Sequence, residues 1–191
     1  PWSAPHALML LQCIGRAEAG PYVATFLREG LGGDWLTEEG HSAVFRTSAV
    51  DPIWTVVEDD EADEWGRAEG VLGLTLQALA KEKLRAPTAE RLRELAGRLE
   101  DEADAEDPLF TQVCYSLADL HDAASRDAIL AAVRAGKCEW DEDGVASAYE
   151  TAFAETLDHW TEDPMEHFTA RNLRELEEME EAAAAEADKP L

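Results

Sequence analysis

The chain has 191 residues, 46% hydrophobic and 30% charged, which is the length of one domain with enough apolar material for a core. Its 42 acidic residues outweigh 16 basic ones and leave a net charge of −26. That field repels phosphates and anionic lipid, so direct binding to nucleic acid or membrane is excluded, and a protein with a basic surface is the partner class that fits.

Helical periodicity runs through the chain, and no stretch alternates in the manner of a strand. Residues 4–14 read as an apolar helix, 15–20 as a tight turn, and 21–29 as a second helix opening on Pro21. Residues 37–48 and 52–58 repeat that order, with Pro52 in the same place. Between 63 and 83, Trp65, Ala68, Leu72, Leu76 and Leu79 recur at steps of three and four and draw one apolar stripe. Pro87-Thr88 reads as the start of the next helix, with Thr88 as its cap and Leu92, Leu95, Ala96 and Leu99 inward. Asp107 caps a helix that begins at Pro108 and buries Leu109, Val113, Cys114 and Leu117. Ser125 reads as another cap, with Ile129, Leu130 and Val133 inward and Gly136 as the stop. Val145, Tyr149, Ala152, Phe153 and Trp160 mark one further helix. Beyond Pro164, Leu173, Leu176 and Met179 give a narrow stripe that runs out into a Glu/Ala tail.

These helices come in pairs. The second members open near Pro21, Pro52, Thr88 and Ser125, at intervals of about 31 to 37 residues, a period typical of arrays in which each hairpin buries its face on the next. The expected fold is all-α: a short right-handed solenoid of helical hairpins, about 8–10 helices in all. Residues 1–160 form the repeat domain, and residues 161–191 a capping helix with an acidic tail.

The segment HALMLLQCIGRAEAGPYVATFLREG (residues 6–30) resembles one HEAT-like repeat, with its turn and the Pro before the second helix. The order from Gly33-Asp34 and Thr37-Glu38 through the 65–79 helix to the 107–138 hairpin is similar to an uncharacterised bacterial HEAT-like family, over residues 4–160. The resemblance implies a fold and no activity. Members of that family can carry a cysteine-rich, metal-binding tail, but no Cys follows Cys138, so that feature is not carried over.

Cys13, Cys114 and Cys138 are widely spaced and form neither an even disulfide framework nor a Cys-x-x-Cys pair, which points to a reducing, cytoplasmic setting. No apolar run reaches the ~20 residues of a membrane span, and no basic region precedes the apolar stretch 6–14, as a signal peptide would require.

The sharpest local motif lies at 139–150 and resembles a twelve-residue calcium loop. Glu139, Asp141, Asp143 and Ser147 supply oxygens at positions one, three, five and nine, Gly144 the turn at six, and Glu150 the bidentate position twelve. Glu139 stands where the shorter Asp is wanted, and Ala146 where a branched apolar residue packs, so the segment reads first as an acidic turn between helices. Glu38 and His41 have the Glu-x-x-His spacing of a di-iron bundle, but that chemistry needs a second such pair and two more Glu. His6, His121, His159 and His167 lie far apart, and no zinc, nucleophile-elbow or phosphate-loop motif occurs.

No catalytic residue and no cofactor is therefore assigned. The acidic runs at 58–64 and 100–107 read as solvated rims or as docking patches, with Glu58, Asp59, Asp60 and Glu61 as the candidate patch for a basic protein. The function expected is that of a non-enzymatic acidic solenoid that binds a protein. The alternatives are an acidic mimic of nucleic acid that occupies a basic nucleic-acid-binding protein, and a helical metal-binding protein.

Residues 1–57 hold six acids and three bases, so most of the excess charge is crowded into 58–191. Salt screens such repulsion over ~10 Å at 0.1 M. The melting temperature, followed by circular dichroism, should climb as sodium chloride rises from low to moderate concentration. A flat profile would leave the charge without effect on the fold.

Overall fold

A computed structural model describes residues 3–31 and 33–160. The capping helix expected over 161–191 lies outside these residues, and everything below concerns the part described. Among the described residues the fold is all-α, with ten α-helices, one 3-10 turn and no strand. Helices α1 (Ser3–Ile14) and α2 (Gly20–Arg28) are joined through the 3-10 turn Ala17–Ala19. Between α3 (Asp34–Thr47) and α4 (Asp51–Val57) the chain turns through Ser48, which has a positive φ of 53°. Lys81 alone separates α5 (Glu64–Ala80) from α6 (Glu82–Leu99). Then come α7 (Pro108–Asp119), α8 (Arg126–Arg134), α9 (Glu142–Glu150) and α10 (Phe153–Trp160).

Aspartates start three of these helices by taking up orphan backbone N–H groups. Asp63 accepts from Gly66 at 2.8 Å, Asp107 from Phe110 at 2.7 Å and Asp141 from Gly144 at 2.6 Å. The cap expected at Asp107 is thus in place. Three other local expectations fail. Helix α6 begins at Glu82, so Pro87 stands inside it and Thr88 is buried in its body, not at its start. Pro87 removes one helical hydrogen bond. Arg85 holds the turn ahead of it by donating to the end carbonyls of α5, Ala78 at 3.3 Å and Leu79 at 2.9 Å. Ser125 makes no side-chain cap, because its hydroxyl donates to Asp122 at 2.5 Å. The single helix expected from Val145 to Trp160 is broken at Thr151, whose extended backbone presents its carbonyl to His121 Nε2 at 3.0 Å.

Helix α5 is the core element. Every residue from Gly66 to Leu79 is buried, and a helix buried all round is found only at the centre of a packed structure. Leu74 and Leu76 are among the largest fully buried side chains, each worth about 1.5–3 kcal/mol relative to exposure. Neighbours approach through its glycines. A Cβ built on Gly66 would lie 1.9 Å from the Leu27 carbonyl oxygen of α2, and one on Gly73 would lie 2.4 Å from Val44 Cβ of α3. Gly70 faces Val57 and Ile53 of α4 at 2.9 and 3.3 Å.

The polar groups of α5 are spent on the same neighbours. Glu69 lies against Gly40, where α3 carries no side chain, and its Oε2 accepts from the His41 backbone and from His41 Nδ1, both at 2.7 Å. Gln77 Nε2 donates to the Val44 carbonyl at 2.7 Å, satisfying an acceptor in the last turn of α3. Arg67 donates to the Val57 carbonyl at 3.0 Å and pairs with Asp60 at 2.9 Å.

Packing follows a simple rule along the chain. Helix α1 packs on α3, α3 on α5, α5 on α7 and α7 on α9, while α2 packs on α4; α10 returns to α5. Side-chain hydrogen bonds tie these levels together. Gln12 to Glu39 spans 27 residues, Arg28 to Asp59 31, Arg91 to Glu58 33, Arg93 to Asp122 29 and Tyr115 to Glu139 24.

A methyl group at Gly66 must push α2 away from α5. Gly66→Ala should therefore lose about 3 kcal/mol in urea denaturation, at the upper end of overpacking costs. Gly97 in α6 has nothing within 4 Å of its added Cβ, so Gly97→Ala should gain about 0.5–1 kcal/mol from helix propensity alone.

Candidate functional site

Helices α6 and α8 flank α7 and leave a groove of about 210 Å³ between them. Its walls are small residues, Ala96 and Gly97 on one side and Ala128 and Ala132 on the other. Phe110, Cys114 and Leu117 of α7 form the floor. Side chains this short do not fill the space between the two walls, so the apolar floor stays open. At the rim Arg93 is held by Asp122 at 2.6 Å, and Glu100 marks the start of the acidic α6–α7 connection. A second hollow of about 440 Å³, beside Gly30, Asp63 and the half-exposed Trp65, has no converging side chains of comparable apolar character.

Cys114 of the groove floor and Cys138 both belong to the apolar core. Both are buried, whereas Cys13 is exposed. The segment bearing Cys138 is fastened on both sides. Lys137 Nζ donates to the Glu100 carbonyl at the end of α6, and the Glu139 carbonyl accepts from Tyr115 Oη at 2.6 Å. Trp140 meets the Tyr115 ring edge-on at 4.3 Å. Hydrogen bonds from the Cys114 thiol and the Thr111 hydroxyl hold the Cys138 thiol below its usual value, while the same contact and burial push Cys114 up.

The residues singled out in the sequence fall elsewhere. Glu58, Asp59 and Asp60 follow α4, and each is engaged by an arginine: Arg91 at 2.6 Å, Arg28 at 2.9 Å and Arg67 at 2.9 Å. The Arg28 guanidinium holds the Asp59 carboxyl below its usual range. Glu61 is exposed, its backbone N–H donating to Asp59 at 3.1 Å. Of the calcium-loop residues, Asp141 is the cap of α9, while Asp143, Ser147 and Glu150 are spread along that helix. The Ser147 carbonyl accepts from the Thr151 hydroxyl at 2.9 Å, and the Glu139 carbonyl from Tyr115. The helix occupies positions that a calcium loop needs free to curl around an ion. Among the described residues no group of three or more His, Cys, Asp or Glu is placed to hold a metal ion.

His41 is buried on α3 against Glu69, while Glu38, its partner in the Glu-x-x-His spacing, is exposed. His121 stacks near Phe153 at 4.5 Å, and the structure does not bring it to His6 or His41 in any metal-holding group. The positions 159 and 167 give no side-chain description. Sequence reasoning missed the groove. The one available signal was the run of Ala and Gly at helical spacing in α6 and α8, which also describes ordinary close packing.

Comparison with known protein families, with curated proteins and with solved structures finds no match. No helix among the described residues is long and apolar enough to cross a membrane.

One carboxyl stands out for its environment. Burial pushes Asp119, at the end of α7, up to about 6, with His121 pulling it partly back. It does not line the groove. An acid whose pKa is raised on folding is ionised at a cost in the folded state. That cost is absent below about pH 4, where both states hold the proton; it grows as pH rises to about 6 and is constant above. Asp119→Asn should therefore gain about 2 kcal/mol over the parent at about pH 7 and nothing at about pH 4, by urea denaturation at each pH. A gain that does not change with pH would place the effect in packing.

Proposed function

We propose that the chain is a HEAT-like α-solenoid acting as a non-enzymatic interaction module, and that it seats an amphipathic helix of a basic protein partner in the groove between α6 and α8. The observation that carries this reading is the juxtaposition of an apolar floor with unpaired acid. Glu100 at the groove's rim, and Asp101, Glu102, Asp104 and Glu106 that follow it, are exposed, and among the described residues none of their carboxylates pairs with a cation. The run at 58–60, by contrast, is already neutralised within the fold.

A groove of about 210 Å³ is small beside the roughly 300–1,000 Å³ of ordinary small-molecule sites, which favours the anchoring side chains of a partner helix over a free substrate. The partner helix would lay aliphatic residues at i, i+3, i+4 and i+7 on Phe110 and Leu117, and Lys or Arg at its edge toward the acidic connection. The solenoid part of the reading is supported by the successive packing of α1, α3, α5, α7 and α9, each on the next of that series, and by ties that span about one repeat.

Synthetic helical peptides with a Leu face and Lys flanks, tested by fluorescence anisotropy beside Glu-flanked and scrambled versions, provide the test. The Lys-flanked peptide should bind and weaken roughly tenfold between low and about 0.5 M salt. Ala128→Trp, which fills the groove from an exposed position, should abolish binding without lowering the melting temperature. Equal binding of Lys- and Glu-flanked peptides, or full binding by Ala128→Trp, would sink the reading.

A further inference from the structure

We infer that the exposed side of α1 is the contact between two copies of this chain, a two-fold dimer in which α1 lies antiparallel on its mate. The inference does not depend on the groove between α6 and α8. It starts from the sequence of α1, SAPHALMLLQCI, which holds no Asp, Glu, Lys or Arg in a chain that is 30% charged. Leu8, Met9 and Gln12 are buried, and Gln12 reaches Glu39 of α3 at 3.1 Å, so that side of the helix is spent on the fold. At about 100° per residue His6, Leu10, Cys13 and Ile14 fall on the opposite side. All four are exposed, Leu10 by 56% and Ile14 by 55%. A helix that is apolar all round belongs in a buried setting, and α1 has only one side buried.

Charge says what covers the other side. Residues 1–57 carry six acids and three bases, the first fifteen carry neither, and the rest of the −26 lies in 58–191. A basic partner is drawn to the later acids and gains nothing from α1. A lipid surface holds interfacial helices that carry Lys and Arg on their polar face, and α1 has none. A second copy brings the same uncharged stripe. Helix α1 stands first in the series α1, α3, α5, α7 and α9, so contact through it keeps α3 and α5 between the mating face and α7. The stripe is also self-complementary. With the two-fold axis at Leu10, the two Leu10 side chains meet, and Ile14 of each copy lies against His6 of the other. Such a contact closes at two copies.

Sedimentation equilibrium of the full chain, beside Leu10→Glu and Trp65→Glu, provides the test. The parent should pass from monomer to dimer with concentration and stop there. Its dimer should tighten as salt rises to about 0.5 M, because screening relieves the repulsion between copies. Leu10→Glu should raise the dissociation constant about a hundredfold or more, since two buried leucines are lost per dimer, with its circular dichroism unchanged. Trp65→Glu alters an equally exposed side chain on α5 and should leave the constant as it is. Cys13 gives a second reading in the unaltered chain. Antiparallel pairing sets the two Cys13 positions about 9 Å apart along the axes and about 8–10 Å across them, about 13 Å in all. A bismaleimide of that reach should join Cys13 to Cys13 and spare the buried Cys114 and Cys138. A chain still monomeric at about 1 mM, a dimer that survives Leu10→Glu, or a dimer that yields no Cys13 pair would overturn the assignment. A monomer that instead sediments with phosphatidylcholine vesicles, and loses them in Leu10→Glu, would overturn it in favour of a bilayer.

Discussion

Helix α5 is enclosed on every side, and the glycines at 66, 70 and 73 set how close its neighbours stand. At Gly66 the backbone of α2 lies where a side chain would otherwise be, and at Gly73 Val44 fills the corresponding place from α3. Contacts this close leave no room for water, so each polar group brought into them needs a partner inside the protein. Glu69, Arg67 and the amide nitrogen of Gln77 meet that demand by reaching across to α3 and α4, while Gln77 Oε1 is left without a hydrogen-bond partner. The Glu69 carboxylate approaches the α3 backbone only because residue 40 is a glycine. Small residues on facing helices thus fix both the apolar and the polar halves of the core, and α7 completes the enclosure from the other side.

Cations are scarce here, and the fold uses them as fasteners. Arg28, Arg67 and Arg91 each take one carboxylate of the run after α4, and Arg91 also lies over the Trp54 ring at 4.1 Å. Arg85 covers the end carbonyls of α5 and stacks on Phe153 at 4.0 Å, which brings α10 back to the core. A guanidinium suits this work because its planar fork serves a carboxylate, a carbonyl and a ring face at once. The acids after α4 so engaged differ from the exposed acids of the α6–α7 connection, whose carboxylates have no cation beside them among the described residues.

What the sequence made legible was local. Leucines at steps of three and four and a Pro behind Asp107 gave the helical class and the start of α7, because each depends on neighbours a few residues away. Thr88 and Ser125 misled for the same reason. Each looks like a cap, but a helix can begin earlier when Arg85 supplies the bonds that hold its first turn, and a serine turns to an adjacent aspartate when one is in reach. Glu38 and His41 were an attractive pair by spacing, but the true partner of His41 is Glu69, 28 residues on and indistinguishable in sequence from the other acids. The groove was hidden for a related reason: Ala96, Gly97, Ala128 and Ala132 read identically whether a helix presses on them or space is left above them.

The longer polar ties between elements span 24 to 37 residues. Each bridges about one hairpin, so a newly made helix finds its partner within a short stretch of chain already present. Closing loops of this size costs little entropy, and topologies rich in such contacts fold rapidly. During synthesis the first helices can therefore dock in order as they leave the ribosome, with α5 meeting α2, α3 and α4 before the acidic run at 100–107 has emerged. The electrostatic burden of the later residues then falls on helices already docked, and folding need not overcome the full repulsion of the finished chain.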